Sequence, residues 1–147
     1  VQRPVDLRIW TSLDEVSQPK AIETIKPLRI VMSRSHKRKE DTMFLKLLQD
    51  CEIDYELVEK GSSLKICALC DDEADIYPRF GPTSEWDIAA ADAVLSSYGG
   101  SICSLDNFKK LEYSKKNILN PPFIAYSNEL IKQSYGQKVE DCIKKLL

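Results

Sequence analysis

The segment Ile76–Ala91, IYPRFGPTSEWDIAAA, constrains the fold more than any other part of the chain. A short apolar run meets a Gly81-Pro82 turn, and Ser84 then opens a helix-forming stretch, so the segment predicts strand, turn and helix in direct succession. A cation, Arg79, and a carboxylate, Asp87, flank that turn. A helix start beside a cation suits an anion, because backbone N–H groups and the helix dipole both point there. A carboxylate in the same first turn can hold a hard metal ion against a phosphate. Phosphate chemistry is the first expectation.

The rest of the chain continues the same alternation. Leu28–Ser33 reads as a buried strand, and residues 39–49 place Met43, Phe44, Leu47 and Leu48 at helical spacing. Tyr55–Val58 predicts a second strand. Gly61-Ser62-Ser63 breaks it and offers a cap to a helix running to about Cys70. Asp75–Phe80 is a third strand, and Ser84–Tyr98 a helix ended by Gly99-Gly100. Ser101–Leu105, Leu111–Tyr113 and Phe123–Tyr126 are short strand candidates. Asn128–Leu147 predicts a closing amphipathic helix with a break at Gly136. Residues 1–27 are less regular, with a strand expected at Asp6–Trp10. The fold class expected is α/β, a layered and largely parallel sheet flanked by helices. Ligands of such sheets gather beyond the carboxyl ends of the strands. His36, Ser62, Ser63 and Arg79 all fall at or just past such ends.

Composition narrows the function classes. The chain has 147 residues, enough for one domain with a true core, and a net charge of −2 speaks against nucleic-acid binding through a basic surface. No apolar run is long enough to span a bilayer, and no charged-plus-apolar signal pattern is present. Val1 in place of methionine points to a processed or truncated polypeptide. The five cysteines suit reduced thiols in a cytoplasmic protein. Cys67 and Cys70 form a lone C-x-x-C; a buried helix face is the expectation, and a zinc-binding module the remote alternative. One histidine and no G-x-S-x-G argue against serine hydrolase chemistry. Neither G-x-x-x-x-G-K-[ST] nor G-x-G-x-x-G occurs. The Asp71-Asp72-Glu73 run reads as a solvated turn.

Each candidate residue has a plainer role beside the functional one. Asp87 completes a Ser84-x-x-acid capping pattern, so capping and metal binding are both open. Arg79 is either a surface arginine or an anion contact. Lys65 sits at a helix start, which the dipole disfavours for a cation unless an anion joins it. His36 lies in a basic loop, Arg34 to Lys39, that is either solvated or attractive to a polyanionic small molecule. Trp86, Ala89, Ala90 and Ala93 are expected to pack.

Taken together, Val31–His36 (VMSRSH), Gly61–Lys65 (GSSLK), Asp75–Thr83 (DIYPRFGPT) and Trp86–Ala91 (WDIAAA) resemble the inositol monophosphatase superfamily, and more particularly its CysQ-type 3'(2'),5'-bisphosphate nucleotidase branch. Gly99-Gly100 and Leu119-Asn120-Pro121 add to the likeness, which covers about residues 28–127. The resemblance implies the C-terminal lobe of the inositol monophosphatase/sugar phosphatase fold, with residues 1–27 a lead-in from a missing N-terminal lobe and 28–147 the lobe itself. It implies Mg2+-dependent hydrolysis of adenosine 3',5'-bisphosphate to AMP and phosphate, Asp87 as a metal ligand, and His36, Ser63, Lys65 and Arg79 as substrate contacts. The location implied is cytoplasmic, with peripheral membrane association as the other option.

The departure is that D-P-[IL]-D-G-T and an upstream glutamate region, which carry the family's other metal ligands, are absent. A single aspartate cannot assemble a multi-metal site, so the isolated chain is expected to be inactive although its parent would be an enzyme. An inositol phosphatase of the same superfamily and a non-catalytic nucleotide-binding domain are the competing expectations.

Overall fold

The computed structural model describes Gln2 and residues 8–11, 27–33, 38–61 and 64–146. The strands are β1 (Leu28–Ser33), β2 (Tyr55–Lys60), β3 (Ile76–Arg79), β4 (Thr83–Ser84), β5 (Ser101–Ser104), β6 (Leu119–Asn120) and β7 (Phe123–Tyr126). The helices are α1 (Lys39–Asp50), α2 (Leu64–Cys70), α3 (Glu85–Ser97) and α4 (Glu129–Lys144). Five strands form one sheet in the order β2-β1-β3-β7-β5, and β4 and β6 pair in a small ladder of their own.

Alternation along the strands divides the core into two halves. Leu28, Ile30 and Met32 of β1 face Phe44, Leu48, Val139 and Ile143 of α1 and α4, together with Ile124 and Tyr126 of β7. The intervening Val31 joins Tyr77, Phe123 and Ala125 against Ile66, Leu69, Ile88, Ala91 and Leu95 of α2 and α3. Both faces of the sheet are therefore covered, which is why residues 30–32 of β1 and the whole of β7 read as apolar runs.

The sheet is mixed rather than largely parallel. β1 pairs in parallel with β2 and β3, whereas β7 is antiparallel to both β3 and β5. β1, β2, β3 and β5 thus run one way and β7 alone opposes them. The link from β5 to β7 is a return connection without a crossover helix, and such a link delivers an antiparallel neighbour.

Other expectations are corrected locally. Residues 111–113 form no strand; only an isolated bridge joins Lys110 to Cys103. α4 passes through Gly136 without a break, because the buried face Ile131, Gly136, Val139 and Ile143 is held against the sheet. Asn128 caps that helix by accepting a hydrogen bond from Ile131 N at 3.0 Å. Of the expected strand Asp6–Trp10, Ile9 makes an isolated bridge with Gln2, and residues 6 and 7 lie outside the described residues.

Two side-chain anchors tie together segments that are distant in sequence. Arg29 locks β1 to the turn before β3: its Nη2 donates to Asp75 Oδ1 at 2.7 Å and to Asp72 Oδ1 at 2.6 Å, and its backbone N–H donates to Asp75 Oδ2 at 2.8 Å. Trp10 is buried beside Cys67 of α2 and Val94 of α3, and its indole N–H donates to Asp71 Oδ1 at 2.9 Å. The acidic 71–73 turn is thus an anchoring point for Arg29 and Trp10 rather than merely solvated. No helix among the described residues is long and apolar enough to cross a membrane.

Candidate functional site

The parallel strands β1, β2 and β3 end on one edge of the sheet; α1 follows β1, α2 follows β2, and α3 follows β3 by way of the short β4. Arg79 is the last residue of β3. Tyr77 lies two residues earlier, on the same strand face, and looks toward α2. Lys65, in the first turn of α2, is buried, with its ammonium 5.5 Å from the centre of the Tyr77 ring. A lysine, an arginine and a tyrosine therefore meet at the rim.

Their electrostatics bear the mark of crowding. Burial, and then the Arg79 guanidinium, push the Lys65 ammonium below the usual lysine range. Burial pushes the Tyr77 hydroxyl up to about 12, against the opposing pull of Arg79. The Arg79 Nε is buried and finds no hydrogen-bond partner among the described residues. A buried donor without an acceptor costs about 1–3 kcal/mol. An anion placed here would relieve both conditions, accepting from Nε and shielding the two cations from each other.

Arg38, at the N-cap of α1, belongs to the same rim. A Cβ on Gly81 would stand 2.8 Å from Arg38 Nε, so glycine leaves room for the guanidinium against the Gly-Pro turn. The Arg38 backbone N–H donates to Asp41 Oδ2 at 2.8 Å.

Asp87 stands in the first turn of α3. Its Oδ2 accepts the backbone N–H of Ser84 at 2.7 Å, and the pair forms a capping box. Asp87 is exposed, and among the described residues Oδ1 makes no hydrogen bond or ion pair. One carboxylate oxygen therefore fixes the helix start while the other remains available to a cation. By itself Asp87 does not fit a Mg2+ site: no three His, Cys, Asp or Glu side chains converge among the described residues.

The turn that presents Asp87 is clasped from behind. Asn120, buried on β6, donates from Nδ2 to Thr83 Oγ1 at 3.2 Å and to the Ser84 carbonyl at 3.0 Å. Glu85 accepts hydrogen bonds from the backbone N–H groups of Ser114 and Lys115 at 2.9 and 3.1 Å, and from Lys115 Nζ at 2.5 Å. The Lys115 hydrogen bond holds the Glu85 carboxyl below the usual carboxylate range.

Of the residues singled out from sequence, the rim brings Lys65 and Arg79 together, and Asp87 occupies the neighbouring helix start. His36 and Ser63 lie outside the described residues. Trp86 is 70% exposed, and Ala90 and Ala93 are also exposed, with Ala89 only half-buried; Ile88, Ala91, Val94 and Leu95 form the packing face instead. Helical periodicity shows that a face exists without saying which residues turn inward. Tyr77 and Asn120 had no separate expectation, and Arg38 was expected only as one member of the basic loop from Arg34 to Lys39. The i,i+2 spacing of Tyr77 and Arg79 could have joined those two; nothing local ties Asn120 to Thr83.

The model of the inositol monophosphatase family matches residues 11–144. The 3'(2'),5'-bisphosphate nucleotidase CysQ of Salmonella typhimurium is 34% identical over 117 residues, which cover 79% of this chain and 46% of that relative. The crystal structure of CysQ from Bacteroides thetaiotaomicron, a bacterial member of the inositol monophosphatase family, superposes with a TM-score of 0.64 at 36% identity, over 72% of this chain and 39% of that one. The 2'AMP-bound structure of a staphylococcal enzyme, SaIMPase-II, covers 92% of this chain and 49% of its own with a TM-score of 0.64, and at 15% identity it attests the fold alone. The chain spans about half the length of the curated relatives it matches.

Proposed function

Because the chain belongs to the inositol monophosphatase family, we propose that it is the substrate-binding C-terminal lobe of a Mg2+-dependent 3'(2'),5'-bisphosphate nucleotidase, which hydrolyses adenosine 3',5'-bisphosphate to AMP and phosphate in the cytoplasm. Residues 1–27 serve as the lead-in from the N-terminal lobe, and 28–147 as the lobe. The observation that carries the anion-binding part is the pairing of a buried Lys65 with Arg79, whose buried Nε has no partner among the described residues. The relatives named 3'(2'),5'-bisphosphate nucleotidase support the choice of substrate.

In this assignment Arg79 and Lys65 hold the nucleotide's phosphates, with the planar guanidinium suited to two-point contact. His36 and Ser63 are assigned further contacts to the substrate. Asp87 contributes one oxygen to Mg2+ while its other oxygen keeps the α3 start in place. Bound Mg2+ supplies charge stabilisation and an activated water in chemistry of this kind. The remaining ligands must come from the other lobe, so no hydrolytic step belongs to these residues alone.

The test compares phosphate release from adenosine 3',5'-bisphosphate and inositol monophosphate by the two-lobed parent. The expected result is preference for the bisphosphate, with Asp87→Asn lowering activity by at least about 100-fold at limiting Mg2+. Equal activity of the variant and the parent would remove Asp87 from the metal site. Phosphate release by the 147-residue chain alone would contradict the division of labour.

A further inference from the structure

Away from the rim, two thiols meet. Cys51 caps the C-terminus of α1, Cys142 lies in the last turn of α4, and their Sγ atoms are 3.0 Å apart although 91 positions separate them in sequence. Both are free thiols. Cys142 is completely buried, its Sγ 3.7 Å from the Leu47 carbonyl. Cys51 is half-buried, and the Lys145 ammonium lies 3.9 Å from its sulfur. One thiol is thus within reach of solvent and faces a cation, while the other waits behind it.

We propose that Cys51 and Cys142 form a hydroperoxide-oxidisable pair, closing to a disulfide that staples α1 to α4 across the face of the sheet. Bond formation requires the sulfurs to approach by about 1 Å, a movement within the side chains' reach. The Cys51 thiolate attacks the O–O bond of the hydroperoxide, gains one oxygen as a sulfenic acid and expels the other as an alcohol, or as water when the oxidant is hydrogen peroxide. The Cys142 thiol then attacks the Cys51 sulfur, gives up its proton, and a water molecule leaves as the S–S bond forms. Two thiols lose two electrons and the peroxide gains them. Burial pushes the Cys142 thiol up to about 12, with the Cys51 sulfur adding to the effect, which suits Cys142 to the second step rather than the first.

The pair has a mechanical consequence. α1 and α4 pack together through Phe44, Leu48 and Ile143. A bond between their ends closes most of the chain into one loop and restricts the unfolded ensemble more than the folded one.

The experiment treats the 147-residue chain with hydrogen peroxide and reads intact mass, non-reducing peptide mapping and thermal midpoint. The expected result is loss of the mass of two hydrogens, a linked pair of peptides carrying Cys51 and Cys142, and a midpoint higher by something on the order of 10 °C that returns to its starting value with reductant. Cys51→Ala and Cys142→Ala should each abolish the linked peptides and the rise; Cys51 is the more accessible of the two, so its variant serves if the other fails to fold. Oxygen addition at Cys51 without cross-linking, a disulfide mapped to Cys67 and Cys70, or no change under peroxide that fully oxidises free glutathione would each overturn the proposal.

Discussion

At the scale of single residues, the rim crowds two cations together. Lys65 is buried beside Arg79, and its ammonium is held below the usual lysine range by burial first and by that arginine second. A lysine with a lowered folded pKa is bound to its proton more firmly in the unfolded chain. Stability therefore rises as pH climbs from the folded value toward the ordinary lysine value, and below that window the charge is a standing cost. Lys65→Met keeps the volume and removes the charge. Calorimetry should show at least about tenfold weaker binding of adenosine 3',5'-bisphosphate to that variant. Glu85 titrates with the opposite sign. Its carboxyl is lowered by the Lys115 hydrogen bond, so the contribution it makes is present above the ordinary glutamate value of 4.5 and disappears as pH falls through the folded value. Hydrogen-exchange protection, corrected for the intrinsic slowing of exchange in acid, should fall first at the Ser114 and Lys115 amides as the solution is acidified below about 4.5. Glu85→Gln should remove that acid-dependent step.

At the scale of elements, two glycines of similar appearance play different parts. α3 ends in a Schellman arrangement: Gly99, at φ +82°, donates to the Ser96 carbonyl at 3.1 Å, and Gly100 donates to the Leu95 carbonyl at 3.0 Å. A Cβ on Gly100 would lie 2.5 Å from Leu95 Cδ1 and 2.6 Å from the Tyr126 carbonyl oxygen, and that oxygen belongs to the sheet and cannot retreat. Gly136 sits inside α4, where a Cβ would meet only ordinary contacts at 3.6 and 3.8 Å. Gly100→Ala should cost about 2 kcal/mol or more, whereas Gly136→Ala should stabilise the chain by about 0.5–1 kcal/mol. Thermal melts of the two variants should shift in opposite directions. The double glycine was legible as a helix stop because its hydrogen bonds span only a few residues. Gly136 misled for the same reason: local propensity favours a break there, and burial of the neighbouring apolar face outweighs it.

At the scale of the whole molecule, the three layers depend on contacts that are distant in sequence. Asp75 is 7% exposed and is held by the Arg29 side chain and backbone, tying β1 to β3 at the edge opposite the rim. Asp75→Ala would leave the guanidinium with the exposed Asp72 as its remaining carboxylate, and denaturant unfolding should register a loss of about 3 kcal/mol. The sequence by itself determined the strand–turn–helix succession, the cap at Ser84, the glycine stop after α3 and the family motifs. These rest on sterics and hydrogen bonds that close within a few residues. Only the tertiary structure decided that β7 inserts antiparallel between β3 and β5, that Trp10 is buried against α2 and α3, that Trp86 faces solvent, that Lys65 and Arg79 share Tyr77, and that Cys51 touches Cys142. Each of these is settled by which surfaces find one another when the whole apolar core closes, and a local pattern records that a face must be buried without recording what will bury it.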